Sequence, residues 1–362
     1  MSRPPAIGPP TICTPSTGTD PTARSIVGPS RSGPALRPGV AVAVVFGAIG
    51  MVFVGGSVAI SSDVSPDRLF TTQAVRYAIA AALLVGCARL TGRSIRLPRG
   101  TEWLWLLGVS ISGLVVFNIA LVFGARHAEP AVLGVAVACV PLLLAVIGPL
   151  LEGRRPSPTT LLAALVVTIG AAVVQGLGRA DSIGIGWAAV VLCCEAGFTL
   201  LAIPVLGRHG AWGVSIHATC LAAVGFAVVG LAREGPAAVT QLQSRELLAL
   251  IYLAVAVTAV AFVLWYTSVS VLGAGRAGLL TGVAPISAAA VGVLLGGRLP
   301  GVAVWIGIGV VTAGLVLGMA GRRPSSRRAD AGGIGPERPG AGASEDAPTP
   351  EQRGRSVTGQ PT

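Results

Sequence analysis

The chain has 362 residues, 52% of them hydrophobic and 11% charged, with a mean hydropathy of +0.77. That composition excludes a water-soluble domain of this length and requires many crossings of a bilayer. Its net charge of +11 is carried by arginine without a single lysine, which rules out a Walker A loop and a lysine Schiff base, so the chain is not by itself an ATP-driven pump.

Residues 1–38 are rich in Pro, Ser, Thr and Gly, contain Cys13 and have no apolar h-region. They read as a disordered cytoplasmic tail rather than a signal peptide. Ten apolar segments then reach the ~20 residues that a bilayer core requires: 40–61, 70–90, 103–124, 131–151, 159–178, 184–207, 211–232, 247–271, 277–295 and 301–320. Turn chemistry separates them, as at Gly153-Arg154-Arg155-Pro156 and Gly297-Arg298-Leu299-Pro300. Residues 322–362 read as a second disordered cytoplasmic tail. The remaining cysteines, Cys87, Cys139, Cys193, Cys194 and Cys220, lie in apolar runs without a CxxC pair or Cys/His cluster. Neither a metal site nor a disulfide framework nor a cofactor is expected. The basic tails carry no interleaved aromatic residues, so no nucleic-acid partner is expected either.

The arginines set the orientation. With the N-terminus inside, Arg24, Arg31, Arg37, Arg89, Arg93, Arg96, Arg99, Arg154, Arg155, Arg208, Arg276 and the cluster Arg322, Arg323, Arg327, Arg328 all fall on the inner side. Only Arg68, Arg126, Arg179, Arg233, Arg245 and Arg298 fall on the other. A multi-pass protein of the cell (plasma) membrane with both termini cytoplasmic is expected.

Residues 102–178 recur, without a gap and 144 positions later, as residues 246–322. Gly134, Pro141, Ala145, Leu150, Leu151, Gly153, Arg154, Pro156, Thr168 and Gly170 meet Gly278, Pro285, Ala289, Leu294, Leu295, Gly297, Arg298, Pro300, Thr312 and Gly314. The predicted architecture is therefore an all-α polytopic membrane protein with ten transmembrane helices in two five-helix repeats, 39–180 and 181–321. Because each repeat holds an odd number of spans, the second enters the membrane from the opposite face. Inverted repeats supply two related conformations of one central site, the architecture of a secondary transporter. Glycines at Gly108, Gly113, Gly170, Gly307, Gly309, Gly314 and Gly318 either let helices approach closely or are ordinary membrane-helix residues.

Leu264-Trp265-Tyr266-Thr267-Ser268-Val269, Gly275-Arg276-Ala277-Gly278, Val283-Ala284-Pro285 and Leu295-Gly296-Gly297-Arg298-Leu299 together resemble the second half of the EamA family of the drug/metabolite transporter superfamily. Phe123-Gly124-Ala125-Arg126, Pro141 and Leu151-Glu152-Gly153-Arg154 repeat the outline in the first half. One departure is Gly296-Gly297, where the family often carries Gly-Glu. The resemblance implies a ten-helix secondary transporter, often an exporter of amino acids, metabolites or toxic compounds, with helices one to four and six to nine as cavity walls and the fifth and tenth packed outside.

Few side chains can carry transport chemistry. Glu195 lies mid-span, where a charge costs ~2.5–3.5 kcal/mol on insertion scales; it can exchange a proton, bind a substrate amine, or pair with an interior donor that locks packing. Arg76 can pair with Glu195, contact an anionic substrate group, or snorkel to the surface, and its place matches the second helix of EamA-like proteins. Asn118 and Gln175 can face a cavity or glue helices, and Trp265 and Tyr266 can line a pocket or serve as core or lipid-facing aromatics. Pro141 and Pro285, at equivalent positions, are helix-shaping candidates. His217 reads as helix glue; His127 and Glu129 as solvated loop residues. The expected function is secondary active export of amino acids or small metabolites by alternating access, with proton coupling as one mode. An uncoupled facilitator or importer is the alternative within transport, and a polytopic membrane enzyme the distant one, since clustered catalytic acids, histidines or metal ligands are missing from the spans. Expected partners are the lipid bilayer, a small-molecule substrate and, for coupling, protons, with a homodimer left open.

Overall fold

The computed structural model describes residues 38–61, 66–296 and 299–320. The two predicted tails and the Gly297-Arg298 half of the second turn lie outside the described residues. Ten long apolar helices are present among the described residues: α1 (Pro38–Ser61), α2 (Leu69–Leu90), α3 (Glu102–Gly124), α4 (Pro130–Leu151), α5 (Pro158–Gln175), α6 (Ser182–Leu200), α7 (Ile203–Arg233), α8 (Ser244–Leu272), α9 (Ala274–Leu294) and α10 (Val302–Ala320). The face where α1 begins is the tail side, and the opposite one the far side. Helices are what this sequence must form, because hydrocarbon offers no partner to an unpaired backbone group.

The predicted sixth segment, 184–207, is not one uninterrupted helix. α6 stops at Leu200, Leu201 and Ala202 form a turn, and Ile203–His209 complete the crossing. The chain reverses at Gly210, whose backbone (φ 64°, ψ 178°) breaks the helical path within α7. A positive φ of that kind costs glycine no side-chain clash.

Local irregularities repeat along with the sequence. α3 widens into a π-helix over Ser110–Val116, and α8 does the same over Leu253–Val260, the corresponding stretch. α4 breaks at Cys139, just before Pro141, and α9 tightens into a 3-10 turn over Leu280–Gly282, just before Pro285. A proline cannot donate to the turn before it, so both breaks fall where the backbone bond is already missing.

Glycines set how closely α5 and α10 approach. α5 and α10 cross where a Cβ on Gly170 would lie 2.7 Å from the Val311 nitrogen and one on Gly314 would lie 2.9 Å from the Val167 nitrogen. Gly309, by contrast, has nothing within 4 Å of such a Cβ. Close approach therefore accounts for Gly170, Gly307, Gly314 and Gly318 but not for Gly309.

Four carboxylates tie one repeat to the other at the helix ends. On the tail side, Glu102 at the start of α3 binds Arg208 and His209 Nε2 (3.2 Å), and Glu152 accepts from the Ala274 amide (2.9 Å) at the start of α9 while pairing with Arg154. On the far side, Glu246 at the start of α8 holds Arg68 (3.2 Å), and Glu234 accepts from the Phe70 and Thr71 amides (2.9 and 2.8 Å) at the start of α2. Glu102 and Glu246 are 144 positions apart, so the repeat sets an acid at the same helix start on opposite faces, each taking an arginine of the other repeat that does not itself stand at an equivalent position. The second copy lacks the Glu152 tie on both sides: Glu152 corresponds to Gly296, and its partner Ala274 corresponds to Pro130, which has no N–H for a carboxylate to accept. His127 and Glu129 keep solvent-exposed side chains, as expected of loop residues, and also pair: His127 Nδ1 lies 3.0 Å from Asp181, and Glu129 accepts from Arg179 at 3.1 Å. Asp181 also caps α6 by accepting from the Gly184 amide at 2.7 Å. That bond, followed by the one to His127, holds its carboxyl below the usual aspartate range.

Gly170→Ala forces backbone apart at the α5–α10 crossing and lowers unfolding stability in micelles by about 1–3 kcal/mol, the range of an overpacked core. Gly309→Ala, with open space around it, changes it by less than about 0.5 kcal/mol. Equal losses in the two variants would remove the close-approach explanation.

Candidate functional site

The two repeats enclose a cavity of about 600 Å³ that runs from Phe198 and Trp265, buried in the centre, to Ala125 and Pro130, exposed at the far-side rim. Its wall follows the internal symmetry. Met51 and Glu195, Val54 and Phe198, Gly113 and Val257, Phe117 and Ala261, Asn118 and Phe262, and Leu121 and Trp265 are each separated by 144 positions, and both members of every pair line it. The pseudo-two-fold relation therefore passes through the cavity. Helices α1 to α4, α6, α8 and α9 build the wall, and α10 packs outside it. α5 contributes Gln175 and α7 contributes nothing, which corrects the expected set of walls in two places.

The chemistry resides where the symmetry fails. Glu195 occupies the position whose mate is Met51, and its carboxyl has no hydrogen-bond or ion-pair partner among the described residues. The interior donor that a purely structural glutamate would require is absent from these contacts. Next to it, Phe198 stacks obliquely on Phe262 and Tyr266, with ring centroids at 4.8 and 5.1 Å. A Cβ on Gly113 would collide with the Phe198 ring, so glycine is needed there for that ring to reach the cavity.

Arg76 is 9% exposed and neither pairs with Glu195 nor reaches the surface. Its Nε donates to Thr258 Oγ1 (3.0 Å), a terminal nitrogen points to Gln73 Oε1 (3.5 Å), and the guanidinium lies 5.2 Å from the Tyr77 ring centroid. Among the described residues no carboxylate answers its charge. The π-helix of α8 places this partner: Thr258 Oγ1 itself donates to the Leu253 carbonyl, five residues back, at 2.9 Å. Wide turns of this kind recur at functional sites because they offset side chains from the regular helical register.

Asn118 is the hub of a polar chain across α2 and α3. It accepts from Gln73 Nε2 (3.0 Å) and donates to Tyr77 Oη (2.9 Å) and to the Leu114 carbonyl (2.6 Å). Both roles read from the sequence, cavity lining and helix glue, meet in this one residue. Trp265 lines the cavity with its Nε1 donating to Thr199 Oγ1 (3.0 Å). Tyr266 does not: it is fully buried behind the wall, its hydroxyl donating to the Phe198 carbonyl (2.9 Å). The helical period of 3.6 turns its neighbour Trp265 by about 100° toward the opening instead. Pro285 lines the cavity, whereas its mate Pro141 is buried inside α4 away from it. His217 bonds the Gly213 carbonyl (2.6 Å) and stacks edgewise on His209, outside the cavity.

Sequence reasoning passed over Gln73, Tyr77 and Thr258. Gln73 and Arg76, one turn apart on α2, carried a readable polar stripe, whereas Thr258 became visible only through its contact.

The EamA-like transporter family matches residues 38–175 and 182–319, which is more than half of the chain. The "Uncharacterized transporter YetK" of Bacillus subtilis (strain 168) is 25% identical over 249 residues, covering 67% of this chain and 76% of that protein. A crystal structure with 20% sequence identity superposes with a TM-score of 0.64, covering 76% of this chain and 96% of the solved one, and so shares its fold.

Asn118→Leu strands the Gln73 amide and the Tyr77 hydroxyl together and costs about 1–3 kcal/mol, the penalty of an unsatisfied buried polar group. Denaturant titration in micelles measures it; a loss below about 0.5 kcal/mol would show that the hub is not structural.

Proposed function

The chain belongs to the EamA-like transporter family of the drug/metabolite transporter superfamily and is a membrane transporter, not an enzyme; we propose that it exports an amino acid or similar small metabolite by alternating access in exchange for protons. One observation carries the proposal. A single cavity at the interface of the repeats holds an acid with no protein partner, Glu195, and a guanidinium with no carboxylate partner, Arg76. A zwitterion answers both, its carboxylate on Arg76 and its ammonium on Glu195. Each group is then paired in the loaded state, which removes the cost of holding a charge in low dielectric. Phe117, Phe198, Phe262 and Trp265 supply an apolar wall for the rest of the molecule. Gln175 adds a polar rim.

Proton exchange follows from the same geometry. Glu195 binds either an ammonium or a proton, so loading one displaces the other. The arginine bias supports an orientation in which the tail side, where α1 begins and α10 ends, lies in the cytoplasm of a plasma-membrane protein. In that orientation the cavity faces outward, the state in which an exporter releases its substrate and reloads Glu195 with a proton. Inverted repeats supply the inward-facing counterpart by exchanging the conformations of their halves.

Purified protein in liposomes, assayed with labelled apolar amino acids, tests this reading. Flux in the wild type rises with an imposed pH gradient, and Glu195→Gln loses that dependence while retaining gradient-free exchange. Arg76→Gln raises the half-saturating substrate concentration about tenfold or more, the loss of one charge-assisted contact. Wild-type flux indifferent to the gradient would sink the coupling and leave an uncoupled facilitator.

A further inference from the structure

A second opening, of about 390 Å³, lies at the tail-side ends of α1, α2, α7 and α8 and shares no lining residue with the transport cavity. One end is polar. Arg93 and Ser94, just beyond α2, face Ser270 on α8, and the Arg93 guanidinium stacks on Trp212, 5.0 Å from the ring centroid. Among the described residues no acid pairs with Arg93. The connection from Ala88 to Thr101 carries Arg89, Arg93, Arg96 and Arg99 and no Asp or Glu, and all four arginines are exposed. His209, buried in the wall, leaves its Nδ1 without a hydrogen-bond partner.

The other end is apolar and continues onto the outer surface of the bundle. Phe46 lines it and shares a helical face with Val42 and Ile49, which are 50% and 40% exposed. Leu264 and Thr267 on α8 share a face with Val260 and Val271, which are 39% and 36% exposed. In a ten-helix membrane protein these faces meet acyl chains, whereas the buried face of α8, with Trp265 and Tyr266, turns toward the interior.

We propose that this groove binds an anionic phospholipid of the tail-side leaflet, its phosphate on Arg93 with hydroxyl support from Ser94, and its glycerol and first acyl carbons against Trp212, Phe46 and Leu264. A cation without an acid beside it, a hydroxyl-bearing rim and an apolar floor open to the lipid face match the polar and apolar ends of one amphiphile. A zwitterionic lipid places its own cation near Arg93 and loses the charge match. Basic pockets at helix ends select anionic headgroups for this reason. A soluble anion would satisfy Arg93 but leave the apolar floor uncovered.

Trp212 reports occupancy directly. The full-length protein in micelles is titrated with phosphatidylglycerol brominated on its acyl chains and, separately, with brominated phosphatidylcholine. The quenched component that disappears in Trp212→Phe saturates at a lower mole fraction of the anionic lipid. Arg93→Gln shifts that midpoint about fivefold upward, as expected for one basic residue at a headgroup, while Arg93→Lys shifts it less. Equal midpoints for the two lipids, or no shift in Arg93→Gln, overturns the assignment. Relief of quenching by millimolar inorganic phosphate overturns it too, in favour of a soluble-anion site. Arg93 is exposed and beyond the helix end, so its variants keep the fold; an unchanged unfolding midpoint verifies this.

Discussion

Hydrocarbon supplies no hydrogen bonds, so each polar group this chain carries into the bilayer must be answered by another part of the chain or by what the chain carries. Most are answered locally. Thr72, Ser215, Thr219, Thr267 and Thr281 return their hydroxyls to carbonyls three or four residues back. Gln73, Arg76, Tyr77, Asn118 and Thr258 are answered by one another across three helices. The neutral hydroxyls of Ser112, Thr168 and Ser268 stay without a partner, and Glu195 is the acid left over, facing the cavity. A group that the protein declines to pair at such depth is where a ligand or a proton has most to offer, and the transport reading rests on that remainder.

The duplicated scaffold and the unduplicated chemistry serve different ends. Wide turns in α3 and α8, breaks before Pro141 and Pro285 and the ties at Glu102 and Glu246 recur because both halves need the same mechanics. At the symmetric wall positions the residues diverge: Met51 against Glu195, Asn118 against Phe262, Leu121 against Trp265. Shape and motion follow the repeat, while charge and aromatic surface are placed once. A substrate that is not itself symmetric needs that arrangement.

The helix-end carboxylates show how the two halves stay registered. Each takes up an amide or a cation of the opposite repeat, where helix starts leave orphan N–H groups. The swap of Glu152 and Ala274 for Gly296 and Pro130 shows donor and acceptor lost together, as expected when a buried acceptor without a donor costs more than no pair at all.

Composition, periodicity and the 144-residue repeat determined the helix count, the inverted halves and the residues worth watching, because apolar length and internal likeness are one-dimensional properties. Glu195, Arg76 and Asn118 were legible for the same reason: charged or amide groups stand out against an apolar background. The sequence did not determine which partner each would take. Arg76 found Thr258, 182 positions away, rather than Glu195, because a π-turn in α8 carries that hydroxyl to it. Tyr266 lay behind the wall and Trp265 in it, through a rotation of one residue on a helix whose axis was unknown. Gly210 set the reversal between the sixth and seventh crossings, and Leu201-Ala202 interrupted a run that hydropathy saw as continuous. Those outcomes depend on helix rotation and packing against distant neighbours, which only the tertiary structure decides.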